Sequence, residues 1–149
     1  MRPFGFSGNS AADFQRHHLI PVNLISRRAF APLFSTISSV GFDPRNFLAN
    51  GLLLPATEKM AEQTGLPLHR GPHRRYDQLV AECLDVISEE MTGSVSAYRR
   101  ISELQGMLRR ALRQDASLML NRNDPRTLAN PLLKLDHDIL QLGATALLA

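Results

Sequence analysis

The stretch Arg16-His17-His18-Leu19-Ile20-Pro21 sets two adjacent histidines between an arginine and an apolar run that ends in proline. A second pair of histidines follows in His69-Arg70-Gly71-Pro72-His73. Between the two pairs lies Asn50-Gly51-Leu52-Leu53-Leu54-Pro55. The fifth histidine, His137, stands between two aspartates and is interpreted as a surface residue. Four of the five imidazoles are therefore grouped, in sequence, around one asparagine.

The first half of the chain predicts short strands joined by helical segments. Residues Phe14–His18 predict a strand that ends at the histidine pair, and Leu52–Leu54 predict a short buried strand closed by proline. Between them, the apolar residues of Leu24–Ser39 follow a period closer to helix than to strand, interrupted by Pro32. Residues Ala56–Gln63 predict a short helix that ends before a Thr-Gly pair.

The second half predicts longer helices. Gly71-Pro72 precedes a helical pattern, and proline is favoured at a first helical position because its missing N–H costs nothing there. Apolar residues recur at spacings of three and four from Tyr76 to Ile87. Thr92-Gly93-Ser94 breaks this helix, and a second is predicted from Val95 to Leu112. A last helix is predicted over residues 126–148.

These elements divide the chain into three segments and predict an α+β fold. Residues 1–13 are predicted to be a flexible N-terminal segment, because small and polar residues dominate them. Residues 14–80 form the mixed core, and residues 81–149 form a mainly helical extension packed on it. A hydrophobic content of 44% is enough for a single core.

Composition excludes several classes of protein. The single Cys83 rules out an internal disulfide and a cysteine-based zinc finger. No apolar run reaches the roughly 18 residues of a membrane span. The start, Met1-Arg2-Pro3-Phe4-Gly5, lacks the apolar centre of a signal peptide, so the protein is expected in the cytoplasm of the cell that makes it. The net charge is +3, and eight arginines fall within residues 1–75, several of them beside the histidines, which suits a polyanionic partner.

The histidines fit the chemistry of phosphodiester hydrolysis. That reaction needs a base for water, a cation for the phosphate charge, and groups that hold both in place. Neutral imidazole can be a base or a metal ligand. Adjacent side chains diverge on a straight strand, but at a strand end followed by a turn His17 and His18 can serve one site in different roles. His69 and His73 are four apart, a chelating spacing on a helix.

Two observations bear on how the second histidine pair and Asn50 are interpreted. The helix signal begins at Gly71-Pro72, so His73 is a firmer metal ligand than His69. Asn50-Gly51, taken alone, is typical of a tight turn.

The three histidine and asparagine elements together resemble a known superfamily. They are His17-His18-Leu19-Ile20-Pro21, Asn50-Gly51-Leu52-Leu53-Leu54-Pro55 and His69-Arg70-Gly71-Pro72-His73-Arg74-Arg75-Tyr76. They resemble the HNH/endonuclease VII superfamily, the His-Me finger nucleases, and within it the AHH-type branch of bacterial toxin systems. Residues 41–46 fit the loop before the asparagine. The resemblance covers about residues 14–80, and Arg16 stands where the branch has alanine.

The resemblance implies a fold and a set of roles. The implied fold is a ββα-metal core, a hairpin of two short strands crossed by a helix, with additional helices. His17, His73 and His69 would hold one divalent metal ion, with Mg or Zn favoured and Mn or Ni as alternatives. His18 would be the general base, and Asn50 would brace the loop and orient that base. The implied products carry a 5′-phosphate.

Four arginines beside the histidines are candidate phosphate contacts, because a guanidinium binds phosphate in bidentate fashion. Taken singly, each is more simply a general electrostatic contributor. The four are Arg16, Arg70, Arg74 and Arg75.

The leading hypothesis is a metal-dependent, largely sequence-nonspecific DNA endonuclease that acts as an antibacterial toxin or effector. An immunity protein would be a partner, and the toxin would be delivered into a target cell. One alternative is an RNase of the same fold. Another is a non-catalytic, metal-stabilised module that binds nucleic acid or protein. The sequence leaves the oligomeric state open.

Overall fold

The fold is built on a two-stranded antiparallel sheet. A computed structural model describes residues 13–69 and 72–114. Strand β1 spans Phe14–His18 and strand β2 spans Gly51–Pro55. The register pairs His18 with Gly51 and His17 with Leu52, so the sheet begins at the histidine pair. Both strands predicted from the sequence are confirmed.

The two strands are joined by a helical connection. It contains α1 (Val22–Ile25), a 3-10 turn (Arg28–Phe30), α2 (Ala31–Ser38) and α3 (Phe47–Asn50). The implied hairpin is therefore an antiparallel pair with a long connection. The helix predicted over residues 24–39 is divided. The proline expected to interrupt it lies in the first turn of α2, where a residue without an N–H is readily accommodated.

Asn50-Gly51 is a junction between a helix and a strand. Asn50 ends α3, and Gly51 starts β2 with extended backbone angles, φ −113° and ψ 157°. The tight-turn interpretation of this pair is therefore wrong. A Cβ atom on Gly51 would clash with the side chain and the carbonyl oxygen of Phe47, so this position needs glycine for close approach.

In the part of the chain that the structure describes, three more helices follow β2. Helix α4 spans Glu58–Thr64 and confirms the short helix predicted there. Helix α5 spans Arg74–Glu90, with His73 as its N-cap residue, and helix α6 spans Ser94–Gln114. The predicted break between α5 and α6 is confirmed. Pro72 lies before the helix and not at its first position, which corrects the sequence prediction.

One hydrophobic core takes side chains from both halves of the chain. Helix α6 packs against α2 and α5. Within the described ranges, every helix is too short or too polar to cross a membrane. The largest fully buried side chains of the core are Tyr76, Leu19, Ile20, Leu24, Leu33, Ile37, Leu54, Leu84, Ile101, Leu104, Leu108 and Leu112.

Several predictions fall on residues that the structure does not describe. They are residues 1–12 of the predicted flexible segment, the predicted helix over 126–148, and the candidate phosphate contact Arg70. The described part of the helical extension ends at Gln114.

Candidate functional site

Three histidines meet on one face of the sheet. His17 lies in β1, and His73 is the N-cap residue of α5. The ring centroids of His17 and His69 are 5.3 Å apart, and those of His69 and His73 are 4.8 Å apart. The third separation, between His17 and His73, is 6.1 Å. The fold therefore brings together the three residues that the sequence analysis assigned to a metal.

His69 reaches this cluster from a segment that runs beside the end of the sheet. Its backbone N–H donates to the carbonyl oxygen of Pro55 at 2.8 Å. Its ring Nδ1 lies 2.7 Å from Oε1 of Gln15. Because an amide oxygen only accepts, Nδ1 carries the proton, and the neutral ring presents Nε2. Neither His69 nor His73 lies within α5, so helical spacing is the wrong explanation for their approach.

His17 is held in its neutral form. Its side chain is 6% exposed, and its Nε2 is buried with no hydrogen-bond partner among the described residues. Burial, and then the neighbouring charges of His69 and His73, lower the pKa of His17 from 6.5 to about 3. The pKa of His69 is lowered for the same reasons, burial first and then His73. The neutral imidazole ring, with a free lone pair on one nitrogen, is the form that binds a metal ion.

Tyr76 on α5 supports the same end of β1. Its ring centroid lies 5.0 Å from that of His17, and its hydroxyl donates to the carbonyl oxygen of Leu19 at 2.7 Å. The tyrosine is fully buried, as expected for a core residue. Burial raises its pKa, with Asp77 and Cys83 adding to the rise, so the phenol stays protonated and keeps donating to Leu19.

These three histidines suit a divalent cation by type and position. The Nε2 of His17 is buried without a hydrogen-bond partner among the described residues, and coordination of a cation would satisfy this nitrogen. Metal–nitrogen bonds of about 2.1 Å are compatible with rings this close. In the described residues, no group of three donor side chains is already arranged to hold an ion. The type and proximity of these side chains suit a metal ion, whereas their nitrogen atoms do not all point to one common position.

His18 faces the opposite side of the sheet, since neighbouring residues of a strand alternate. Its Nε2 lies 3.4 Å from the carbonyl oxygen of Arg45, and its ring centroid lies 5.8 Å from that of Phe47. A carbonyl oxygen only accepts, so Nε2 is the protonated nitrogen in this contact. The neutral ring then has its lone pair on Nδ1. His17 and His18 thus occupy two distinct environments.

Asn50 ties the end of β1 to the loop that contacts His18. Its side chain is fully buried. Its Nδ2 donates to the carbonyl oxygens of Ile20 and Pro44, both at 2.8 Å. Its Oδ1 accepts from the N–H of Ile20 at 3.0 Å, and its backbone carbonyl accepts from Leu19 at 2.9 Å. These bonds hold the two residues that follow His18 and the residue that precedes Arg45.

Gln105 of α6 is a polar neighbour of this site that the sequence analysis did not assign. Its side chain is 4% exposed, and its Nε2 lies 3.0 Å from both the carbonyl oxygen of Ala49 and the Oδ1 of Asn50. A signal for it exists in the sequence. Gln105 is an amide four residues from Ile101 on the apolar face of an amphipathic helix.

The candidate phosphate contacts divide into two groups. Arg16 is exposed on β1, and its guanidinium carbon lies 4.7 Å from the ring centroid of Phe47. Arg74 and Arg75 are exposed in the first turn of α5, directly after His73. Gln15, whose amide holds His69, was not identified from the sequence, where an exposed glutamine in a short strand carries no signal.

A protein-family model matches residues 7–111 of the chain. It describes a nuclease family of the HNH/ENDO VII superfamily with a conserved Ala-His-His. The chain belongs to this nuclease family. The match extends past the 14–80 region of the sequence resemblance and includes all of α5 and most of α6. No curated protein and no solved structure matches the chain.

Membership supports a nuclease activity and a nucleic acid substrate, and nucleases of this superfamily generally use a divalent metal. Arg16 stands at the alanine of the conserved triplet. The AHH-type resemblance is confirmed despite this difference, and the exposed position of Arg16 explains how the larger side chain is accommodated.

Proposed function

We propose that this protein is a metal-dependent, largely sequence-nonspecific endonuclease that hydrolyses DNA, with His18 as its general base. The observation that carries the proposal is that two adjacent imidazoles, those of His17 and His18, lie in different surroundings. His17 is buried among other imidazoles with its pKa lowered to about 3, whereas His18 is half-buried on the other face and contacts a backbone carbonyl. This difference in environment supports the assignment of His17 as a metal ligand and of His18 as the base.

His18 takes the proton from the attacking water. Its Nε2–H donates to the carbonyl oxygen of Arg45, which leaves Nδ1 as the acceptor for the water proton. The ring becomes an imidazolium when it accepts that proton.

His17, His69 and His73 would hold the metal ion. When bound, the ion supplies Lewis-acid neutralisation of the phosphate charge and of the leaving oxygen. Mg or Zn is the favoured ion, with Mn and Ni as the alternatives to compare, and the softness of imidazole ligands suits Zn or Ni. The hydrogen bond from His69 to Gln15 orients one ligand and selects its tautomer.

Asn50 acts as a positioning residue and not as a group that touches the substrate. Its amide holds Pro44, the neighbour of Arg45, and Ile20, which follows the histidine pair. Both ends of the contact between His18 and Arg45 therefore depend on the same buried side chain. Its burial leaves no surface for the substrate.

The arginines and the biological role complete the proposal. Arg16, Arg70, Arg74 and Arg75 attract the phosphate backbone. The AHH-type membership supports a role as an antibacterial toxin, made in the cytoplasm of one cell, neutralised there by an immunity protein and delivered into another. Hydrolysis of RNA is the second candidate activity, because a general base and a metal ion can promote phosphodiester hydrolysis in both DNA and RNA.

A non-catalytic metal module is the remaining alternative. A closed structural zinc site uses four ligands, most often with cysteines. The contacts of the His18 ring are with Arg45 and Phe47, and this supports a metal site in which His18 is not a fourth ligand and one position is open.

The test is plasmid nicking by the wild-type protein, by His18→Ala, and by His137→Ala as the matched control. Each is incubated with supercoiled DNA, and separately with RNA, in Mg, Zn, Mn, Ni or EDTA. We expect metal-dependent nicking that His18→Ala loses by several orders of magnitude and His137→Ala keeps, with unchanged circular dichroism. Normal cleavage by His18→Ala would refute the assignment of the base.

A further inference from the structure

The face of the sheet that carries His18 also carries an exposed apolar and cationic surface. Arg16 is two residues before His18 in β1, and its register partner in β2 is Leu53, so all three share this face. Phe47, which begins α3, lies against Arg16 and His18. We call the four residues Arg16, Phe47, Leu48 and Leu53 the platform.

The Phe47 ring is the centre of the platform. The guanidinium of Arg16 stands 4.7 Å from its centroid, and the ring of His18 meets it edge-on at 5.8 Å. The Phe47 ring can occupy this position because Gly51, which it packs against, has no side chain. A guanidinium held against an aromatic face keeps its charge and presents a planar surface. The cation is therefore positioned beside the proposed base.

The apolar part of the platform is open to solvent. Leu48 is 91% exposed and Leu53 is 50% exposed. Single exposed leucines are common on protein surfaces. Here Leu53 is the register partner of Arg16, and Leu48 follows Phe47 in α3, so both exposed leucines belong to the elements that hold the cation and the aromatic ring. An apolar surface joined to a planar cation complements a ligand with a planar ring and an anion, which describes a nucleotide.

We propose that the platform binds the base and phosphate of the nucleotide next to the bond that His18 serves, and thereby favours single-stranded nucleic acid. This inference rests on the proposed function. In a duplex the bases are stacked and paired, so their faces cannot reach a leucine or a guanidinium plane. In a single strand they can, and such stacking is the usual basis of single-strand binding.

The cation of the platform directly precedes the two adjacent histidines of this chain. Arg16 stands where the family has alanine. Arg16→Ala therefore restores the family residue at an exposed position, and this variant is expected to fold. It removes the contact with Phe47 and leaves the leucines in place.

The experiment measures binding separately from cleavage. Fluorescence anisotropy gives the Kd of wild-type protein for a labelled single-stranded oligonucleotide and for its duplex, in EDTA and at one fixed salt concentration. The same Kd values are measured for Arg16→Ala and for the double variant Leu48→Ser with Leu53→Ser. Val95→Ser is the control, because Val95 is 74% exposed but lies on α6. Gels run after each titration verify that the oligonucleotides are intact.

We expect tighter binding of the single strand by the wild type. The double leucine variant should weaken single-strand binding at least about fivefold and leave duplex binding nearly unchanged. Arg16→Ala should weaken both, and the single strand more. Val95→Ser should match the wild type.

Three outcomes would overturn the platform. They are equal wild-type affinity for single strand and duplex, no binding of either, and a double leucine variant that binds the single strand as the wild type does. If the platform variants behave as expected but the wild type cuts neither DNA nor RNA in any metal, the proposed nuclease fails while the binding surface stands. If the wild type cuts and the variants bind normally, only the platform fails.

Discussion

Gln105 of helix α6 donates from its Nε2 to the Oδ1 of Asn50, at 3.0 Å and across 55 residues of sequence. The acceptor is the side chain that holds both the residues after the histidine pair and the loop before Arg45. A glutamine in the helical half thus restrains the backbone around the proposed base. Its amide is 4% exposed, so water cannot replace it as the donor.

We expect Gln105→Leu to reduce both stability and turnover. The substitution removes the donor to Asn50 and leaves the carbonyl oxygen of Ala49 buried without its side-chain partner, at a cost of about 1–3 kcal/mol. If Gln105 positions the base, kcat falls more than KM changes. Urea unfolding and steady-state cleavage measure the two effects. Gln114→Leu, an exposed site on the same helix, is the control. An unchanged free energy of unfolding for Gln105→Leu would contradict this account.

Gly51→Ala should destabilise the protein by about 1–3 kcal/mol. The new methyl group meets the ring and the backbone oxygen of Phe47, and a backbone atom cannot move away without disturbing the junction of α3 and β2. Thermal unfolding measures the shift in Tm. Gly93→Ala is the matched control, since a Cβ atom there would have no neighbour within 4 Å among the described residues. Equal Tm values for the two variants would show that the close contact is not required.

The metal-free protein should lose stability as the pH falls below 6.5. His17 has a pKa of about 3 when folded and 6.5 when unfolded, so between these values only the unfolded chain binds the proton. The free energy of unfolding therefore decreases through this window, by up to about 1.4 kcal/mol per pH unit. Urea midpoints in EDTA from pH 4 to 8 measure it. The difference between the wild type and His17→Leu isolates the contribution, and parallel curves would refute it.

Gln15→Leu should weaken metal binding without removing a ligand. It takes away the acceptor that fixes Nδ1–H of His69, and loss of such a partner typically costs about 10–100-fold in affinity. Calorimetric titration with Zn measures the Kd. His18→Ala is the informative comparison, because His18 lies on the other face and its loss should leave the Kd unchanged. A metal affinity that falls with His18→Ala and not with Gln15→Leu would reverse the assignment of the two faces.

Local patterns were enough to predict β1, β2 and the two long helices. Each has a signal in its own stretch of sequence, such as the three-and-four spacing in α5 and the Thr92-Gly93 break. The junction at Asn50-Gly51 was not predictable in this way. Its geometry is fixed by Phe47 packing on Gly51 and by the distant Gln105, and neither contact is visible in a dipeptide.

The sequence placed the metal-binding candidates in one region but indicated the wrong reason for the approach of His69 and His73. Their spacing of four suggested one face of a helix, whereas the helix begins at Arg74. The backbone bond from His69 to Pro55 brings the ring into place instead. Such a bond depends on tertiary structure, as does the contact between Gln15 and His69.

Two chemically identical neighbours differ here only because of strand register. β1 is aligned so that His18 pairs with Gly51 and His17 pairs with Leu52. A slip by one residue would turn every side chain of the strand to the opposite face and exchange the two imidazoles. The bond from the N–H of Leu19 to the carbonyl oxygen of Asn50 fixes the alignment just past the pair. The position of Asn50 along the chain therefore fixes the strand register, and the register determines which of the two histidines lies in the buried cluster.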